Sequence, residues 1–265
     1  MADVKYRSST LSDFRLQMIV FKGSRSARLL IYTGLVIMFA IAIAVSYSIA
    51  LSYSKGEPLE DVSFLYEIPL FGFSFAQIFF GAAIIAYICA EWGSGFIYTT
   101  FGASRRPARF IASKLFWPLA FSLSTFFVIL MAIIPLEGIL VSHDTPYTIT
   151  LADATVWRQI LVACFNLATS VLFAGGLAFI FRHAASAIGS YIAISLIAPI
   201  VFGLIPLDIS KTISSWLPNN VYGYLITQDP VMTGTLNYPL LFCAAIAYPV
   251  ISVLVGFVRF KRNVV

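Results

Sequence analysis

Apolar and polar residues alternate along this chain in long blocks. Six runs contain no Asp, Glu, Lys, Arg or His: 29–51, 70–90, 115–136, 160–181, 184–206 and 239–258. Each has about the 20 residues that carry an α-helix across a hydrocarbon layer. The runs are continuous and do not alternate, which predicts helices and not barrel strands. Pro118 and Pro239 fall near the starts of their runs, whereas Pro199 and Pro249 fall inside and are expected to kink them. Ahead of the first run, residues 1–28 are polar and basic. Within them Leu11, Phe14, Met18 and Phe21 recur at helical spacing, so the segment reads as an interfacial amphipathic helix or, alternatively, as a disordered basic tail. The full spanning length of the first run argues against a cleaved signal peptide.

Composition agrees with the blocks. Of 265 residues, 60% are hydrophobic and 11% charged, with a mean hydropathy of +0.90. A soluble domain carries about 25% charged residues, so this chain could not cover a globule with polar groups. The expected fold is all-α: a polytopic membrane protein with a single six-span domain over residues 29–258 and a tail at 259–265. Orientation follows from Lys and Arg. With the N-terminus inside, 14 of the 17 cations fall on the cytoplasmic side, leaving Lys55, Arg158 and Lys211 outside. Both termini are therefore expected in the cytoplasm. A net charge of +5, partitioned this way, does not point to nucleic acid. Cys89, Cys164 and Cys243 each lie in an apolar run and read as small core residues, with neither metal-ligand nor disulfide spacing.

The connections differ. Residues 52–69 carry Glu57, Glu60, Asp61 and Glu67, and 137–159 carry Glu137, His143, Asp144 and Asp153; both read as solvated acidic surfaces on the outer side. Arg182-His183 is a tight cytoplasmic turn. Residues 207–238 hold Trp216, Leu217, Val221, Tyr222 and Leu225 around Pro218-Asn219-Asn220, which predicts two short amphipathic helices with a break. They read as an interfacial segment.

No Walker phosphate loop, G-x-S-x-G or H-E-x-x-H occurs, so the chain has no recognisable ATP site of its own and no hydrolase or metalloprotease motif. The six runs are free of charge by construction, and a proton relay or buried charged-substrate site would need an intramembrane ionisable group. Uncharged polar groups remain: Gln77, Tyr87, Ser190, Tyr191 and Ser195 either bond between helices or line a cavity for an amphipathic or hydrophobic cargo.

The most distinctive connection is 91–114, EWGSGFIYTTFGASRRPARFIASK, with Arg105, Arg106, Arg109 and Lys114 against Glu91. Pro107 suits the first turn of a helix, with Ser104 as its N-cap, and Gly93, Gly95 and Gly102 permit bends before it. Such a basic loop either only fixes topology or offers a docking surface. Glu91, Gly95, Ile97, Ser104-Arg105 and Lys114 resemble the cytoplasmic loop of type-2 ATP-binding-cassette export permeases, with Phe96 where that family usually has Thr. The resemblance implies the transmembrane subunit of an ATP-driven exporter. Glu91, Gly95, Gly102, Arg105, Arg106, Arg109 and Lys114 would couple it to cytoplasmic ATPases, and Trp216, Pro218 and Tyr222 would lie in an outer lid. A re-entrant course for 207–238, as the alternative to an interfacial one, rests on this resemblance alone. It further implies a second permease subunit, identical or different, and ATP and Mg bound only by the ATPase partner. The setting would be a cell membrane, bacterial by expectation. A non-transporting scaffold or assembly factor fits the composition too; a membrane enzyme fits less well, for want of paired His or carboxylates in the spans.

Overall fold

Thr10–Gly23 forms α1 and Arg25–Ser54 forms α2, the first of six helices long and apolar enough to span a membrane. The computed structural model describes residues 10–55, 67–104, 107–144, 150–227 and 238–264. The remaining elements are α3 (Phe73–Gly93), α4 (Phe96–Ser104), α5 (Pro107–Asp144), α6 (Ala154–Phe181), α7 (Ala184–Leu204), α8 (Asp208–Trp216), α9 (Pro218–Thr227) and α10 (Tyr238–Val264). The described residues form an all-helical bundle, and α2, α3, α5, α6, α7 and α10 supply its six long helices.

Two of the six are central. The most apolar windows of α6 and α3 are 67% and 61% buried, against 22–33% for the other four. The peripheral helices turn large apolar side chains outward, among them Val36, Val128, Ile200, Leu204, Leu254 and Val258. In water such a surface would be untenable; in lipid it is the expected exterior. Close packing at the centre depends on missing side chains. A Cβ at Gly256 on α10 would lie 2.9 Å from Phe179 Cβ on α6, and one at Gly176 on α6 would collide with Ser252. Ser252 and Gly256 thus form a small-residue face one turn long that lets the α6 and α10 backbones meet.

Both ends of the long helices extend past the uncharged runs. The third run, 115–136, becomes α5, which starts at Pro107 and includes Lys114 and Glu137. Glu137 is fully buried and not part of a solvated outer surface. Glu91 ends α3 and is also buried, so the spans are not devoid of ionisable groups. The physical reason is continuity: the residues beyond each charge keep helix-forming, apolar character, and a backbone hydrogen-bond ladder does not stop at a charge. Glu57, Glu60 and Asp61, and the backbone at Arg105 and Arg106, lie outside the described residues.

The helix α4, the start of α5, the helix α1 and the last turns of α10 meet at one end of the bundle. Phe260 near the end of α10 stacks on Phe110 at the start of α5 and meets Phe101 of α4 edge-on. The α1 helix lies across α5, where Trp117 Nε1 donates to Phe14 O over 2.6 Å. At the same end α6 terminates in Arg182, whose φ of 64° turns the chain sharply into α7.

Candidate functional site

Two polar clusters sit towards opposite ends of α3, and sequence-predicted residues divide between them. At the basic end, Gly95 adopts φ +71° and reverses the chain from α3 into the short helix α4. Ile97 and Thr100 of α4 face inward, and Phe96, Tyr98 and Gly102 face outward. Beneath α4, Glu91 and Lys114 form a direct ion pair. Lys114 is fully buried, with its Nζ 4.7 Å from the centre of the Tyr87 ring. Thr100 Oγ1 stands 3.4 Å from Glu91 Oε2. Tyr87 donates its hydroxyl hydrogen to Gln17 Oε1 on α1 over 2.8 Å. Hence α1, α3, α4 and α5 are tied through one buried charged cluster.

The placement differs from a simple charged loop. Glu91 and Lys114 are consumed internally, whereas Arg109 is partly exposed and lies 4.0 Å from Asp13 of α1. The buried face of α1 is Asp13, Gln17 and Phe21, with Phe14 and Met18 half-buried beside it and Ile19 exposed. A stripe of apolar residues alone mis-sets that helix because the bundle offers it polar partners. An aromatic layer braces the same end: Trp92, Phe101, Phe110, Phe179 and Phe260 form a chain of ring contacts. Arg182 lies over the Trp92 ring at 4.8 Å and donates to Arg259 O over 3.1 Å. Burial, and then the nearby Arg259 guanidinium, hold Arg182 below the usual arginine range.

At the other end, Gln77, Tyr191 and the α8–α9 hairpin converge, ten residues along α3 from Tyr87 or roughly 15 Å at helical rise. Tyr191 donates to Gln77 O over 3.1 Å, and its hydroxyl oxygen is 2.6 Å from Ser170 Oγ. Since Tyr191 has one hydrogen to give, Ser170 is the donor in the second bond. The tyrosine ring fills space left by Gly81, where any side chain would strike it. A π-helical turn, Ala193–Ile197, follows Tyr191 inside α7 and carries buried Ser195; Ser190 is half-buried. Such turns often mark functional positions.

The hairpin is bound into this cluster. Gln77 Nε2 donates to Asn219 Oδ1 over 2.5 Å, and Ser214 Oγ donates to Pro199 O over 2.8 Å. Tyr248 of α10 donates to Trp216 O. Pro218 opens α9 and is buried, and Tyr222 packs with Val221 and Leu225 against Leu241 and Ala245. Asn166 Nδ2 caps the arrangement by donating to Tyr222 O over 3.1 Å. Tyr248 lies ten residues from the start of α10, roughly 15 Å along its axis, so the hairpin tip is set well below the helix end.

Gln77, Tyr191, Ser195, Trp216, Pro218 and Tyr222 are therefore drawn together, while Tyr87 belongs to the basic end. Sequence reasoning overlooked Gln17, read Asn219 only as part of the break at Pro218, and set Glu137 on a solvated outer surface; Gln17 announces itself only as one uncharged amide in a basic segment. No protein-family model matches the chain, and no curated protein sequence matches it.

Proposed function

We propose that the chain is the membrane-spanning permease subunit of an ATP-driven exporter, working with a second permease subunit and cytoplasmic ATPases. The observation that supports this best is the construction of α4. It is a short surface helix with outward Phe96 and Tyr98, and its base is locked to three other helices through Glu91, Lys114, Thr100 and Tyr87. A push on α4 would reach α1, α3 and α5 together instead of being absorbed by a loop. That is what a transducer needs: two arrangements of the bundle, which a nucleotide-driven partner binds with different affinity. The resemblance of residues 91–114 to the permease coupling loop supplies the chemistry of the partner.

In this reading the basic end faces the cytoplasm, because the charge count over the six uncharged runs assigns 14 of the 17 cations to that side. The α8–α9 hairpin is re-entrant from the outer side and forms a plug over a route completed by the second subunit. The chain itself hydrolyses nothing, and ATP and Mg stay on the partner. Cargo would be amphipathic or hydrophobic, since the groups around Tyr191 and the hairpin are hydroxyls, amides and aromatics.

The test is reconstitution. The chain, co-expressed with a cytoplasmic cassette ATPase of its own genome, should yield a stable complex whose ATP hydrolysis in proteoliposomes responds to substitutions on α4. A membrane-inserted chain that neither retains nor stimulates any such ATPase would overturn the reading. Orientation is checked separately: a cysteine at Lys211 should react with an impermeant maleimide from outside, and one at Tyr98 should not.

A further inference from the structure

The bundle carries an external groove at its basic end that the permease reading leaves unused. One part, 680 Å³, is lined by Leu254, Val255, Val258, Arg259 and Arg262 of α10. A second part, 500 Å³, runs between the start of α5 and α10 and is almost wholly apolar, with Ala112, Leu115, Phe116 and Phe257 among its walls. Leu254 lines both. The two parts adjoin at Leu254, and together they are referred to as the trough: an apolar stretch against α5 and a neighbouring stretch of α10 that carries the guanidinium groups of Arg259 and Arg262.

We infer that this trough binds an anionic phospholipid, with an acyl chain along α5 and α10 and the phosphate on Arg259 and Arg262. Length is the first argument. The α5 wall extends from Ala108 to Leu119. At helical rise that is roughly 16 Å, against about 15 Å for one leaflet of a hydrocarbon core. Charge is the second. Arg182 lies close enough to Arg259 to feel its field, Lys261 and Arg262 are exposed beside them, and no acidic side chain lines either part of the trough among the described residues. A cluster of like charges at the water–lipid boundary attracts an anion. Symmetry is the third. A second copy seated isologously on this face would bring its own Arg259 and Arg262 against these, which repels. The inference requires membrane embedding but not the exporter reading.

The experiment uses the full chain extracted from vesicles of equimolar phosphatidylglycerol and phosphatidylcholine, with retained lipid counted by native mass spectrometry. The wild type should keep phosphatidylglycerol in preference. Arg259→Gln/Arg262→Gln should lower that preference by about thirtyfold, given the contribution of each cation near a lipid surface. Ala112→Phe, which fills the apolar part and leaves the arginines alone, should lower phosphatidylglycerol retention as well. Added inorganic phosphate should not displace the lipid. Melting temperature and monodispersity check each variant's fold; if the glutamine pair fails to fold, Ala112→Phe carries the test. Equal retention of the two lipids overturns the inference. So does a preference unchanged in the folded Arg259→Gln/Arg262→Gln variant or a phosphatidylglycerol retention unchanged in folded Ala112→Phe, either of which would assign the lipid to the general cationic surface, or displacement by phosphate, which would make the ligand a free anion.

Discussion

Gln77 donates its amide hydrogen to Asn219 across 2.5 Å, joining residues 142 positions apart in the chain. Gln77 is buried and Asn219 half-buried, so removing Asn219 leaves the buried Gln77 amide unsatisfied. Asn219→Leu alone is therefore expected to cost about 1–3 kcal/mol, and Gln77→Leu/Asn219→Leu to cost less than the sum of the two single changes. A double-mutant cycle on thermal unfolding in detergent reads this directly. Additive effects would mean that the hairpin tip is not held by this bond.

The Glu91–Lys114 pair gives a sharper contrast. Both side chains are buried, Lys114 completely. Glu91→Gln or Lys114→Met strands the opposite charge, and the expected loss is about 3–5 kcal/mol. Replacing both at once, by Glu91→Leu/Lys114→Met, removes the stranded charge and should recover most of that loss. Melting temperatures of the three variants test the claim. If the double variant is as unstable as either single one, the pair is held by more than its mutual charge.

Much of the fold is legible in the sequence. The last uncharged run, 239–258, is the core of Tyr238–Val264, and the break at Pro218 does separate two short helices. What the sequence could not convey is where a charge goes when its helix continues. Glu137 closes an uncharged run, yet Ile139, Leu140 and Val141 carry the helix on, and the carboxyl is packed inside. Likewise the 91–114 segment reads as one basic loop, but its first and last residues close on each other, and between them Phe96, Tyr98 and Gly102 face outward while Ile97, Thr100 and Phe110 are buried. Pairings such as Gln17 with Tyr87 join residues 70 apart, beyond any local pattern. The candidate site was thus readable as a set of residue types and not as two separate clusters.

Glu137 invites its own experiment. It is fully buried beside Ser46, whose hydroxyl donates to Ala42 O over 2.9 Å, and among the described residues neither carboxyl oxygen has a hydrogen-bond donor in place. A charge at that place has little to offset its desolvation. Glu137→Gln, close in shape and uncharged, is expected to leave the melting temperature within a few degrees or raise it. Glu137→Ala opens a cavity and should cost about 1–3 kcal/mol. A large loss with glutamine would show that the carboxyl has an ionic partner beyond the described residues.

The last prediction concerns the outward face of α4. Arginines 105, 106 and 109 were the natural docking candidates from charge, but Arg109 stands near Asp13 on the same chain. Phe96 and Tyr98 are 45% and 56% exposed on a helix whose other face is locked down. Aromatic side chains on a rigid base are the usual anchors of a protein interface, with losses of about 2 kcal/mol or more on truncation. Exposed ion pairs contribute about 0–1 kcal/mol each. Phe96→Ala/Tyr98→Ala should thus reach the membrane, melt like the wild type and bind the ATPase about thirtyfold more weakly or worse. The Arg105→Gln/Arg106→Gln/Arg109→Gln variant should lose less affinity but become insensitive to salt. If the glutamine variant loses more than the alanine pair, the partner reads α4 by charge. If neither changes ATPase binding, docking lies elsewhere, and the exposed side of α1 around Arg15 and Ile19 is the next surface to alter.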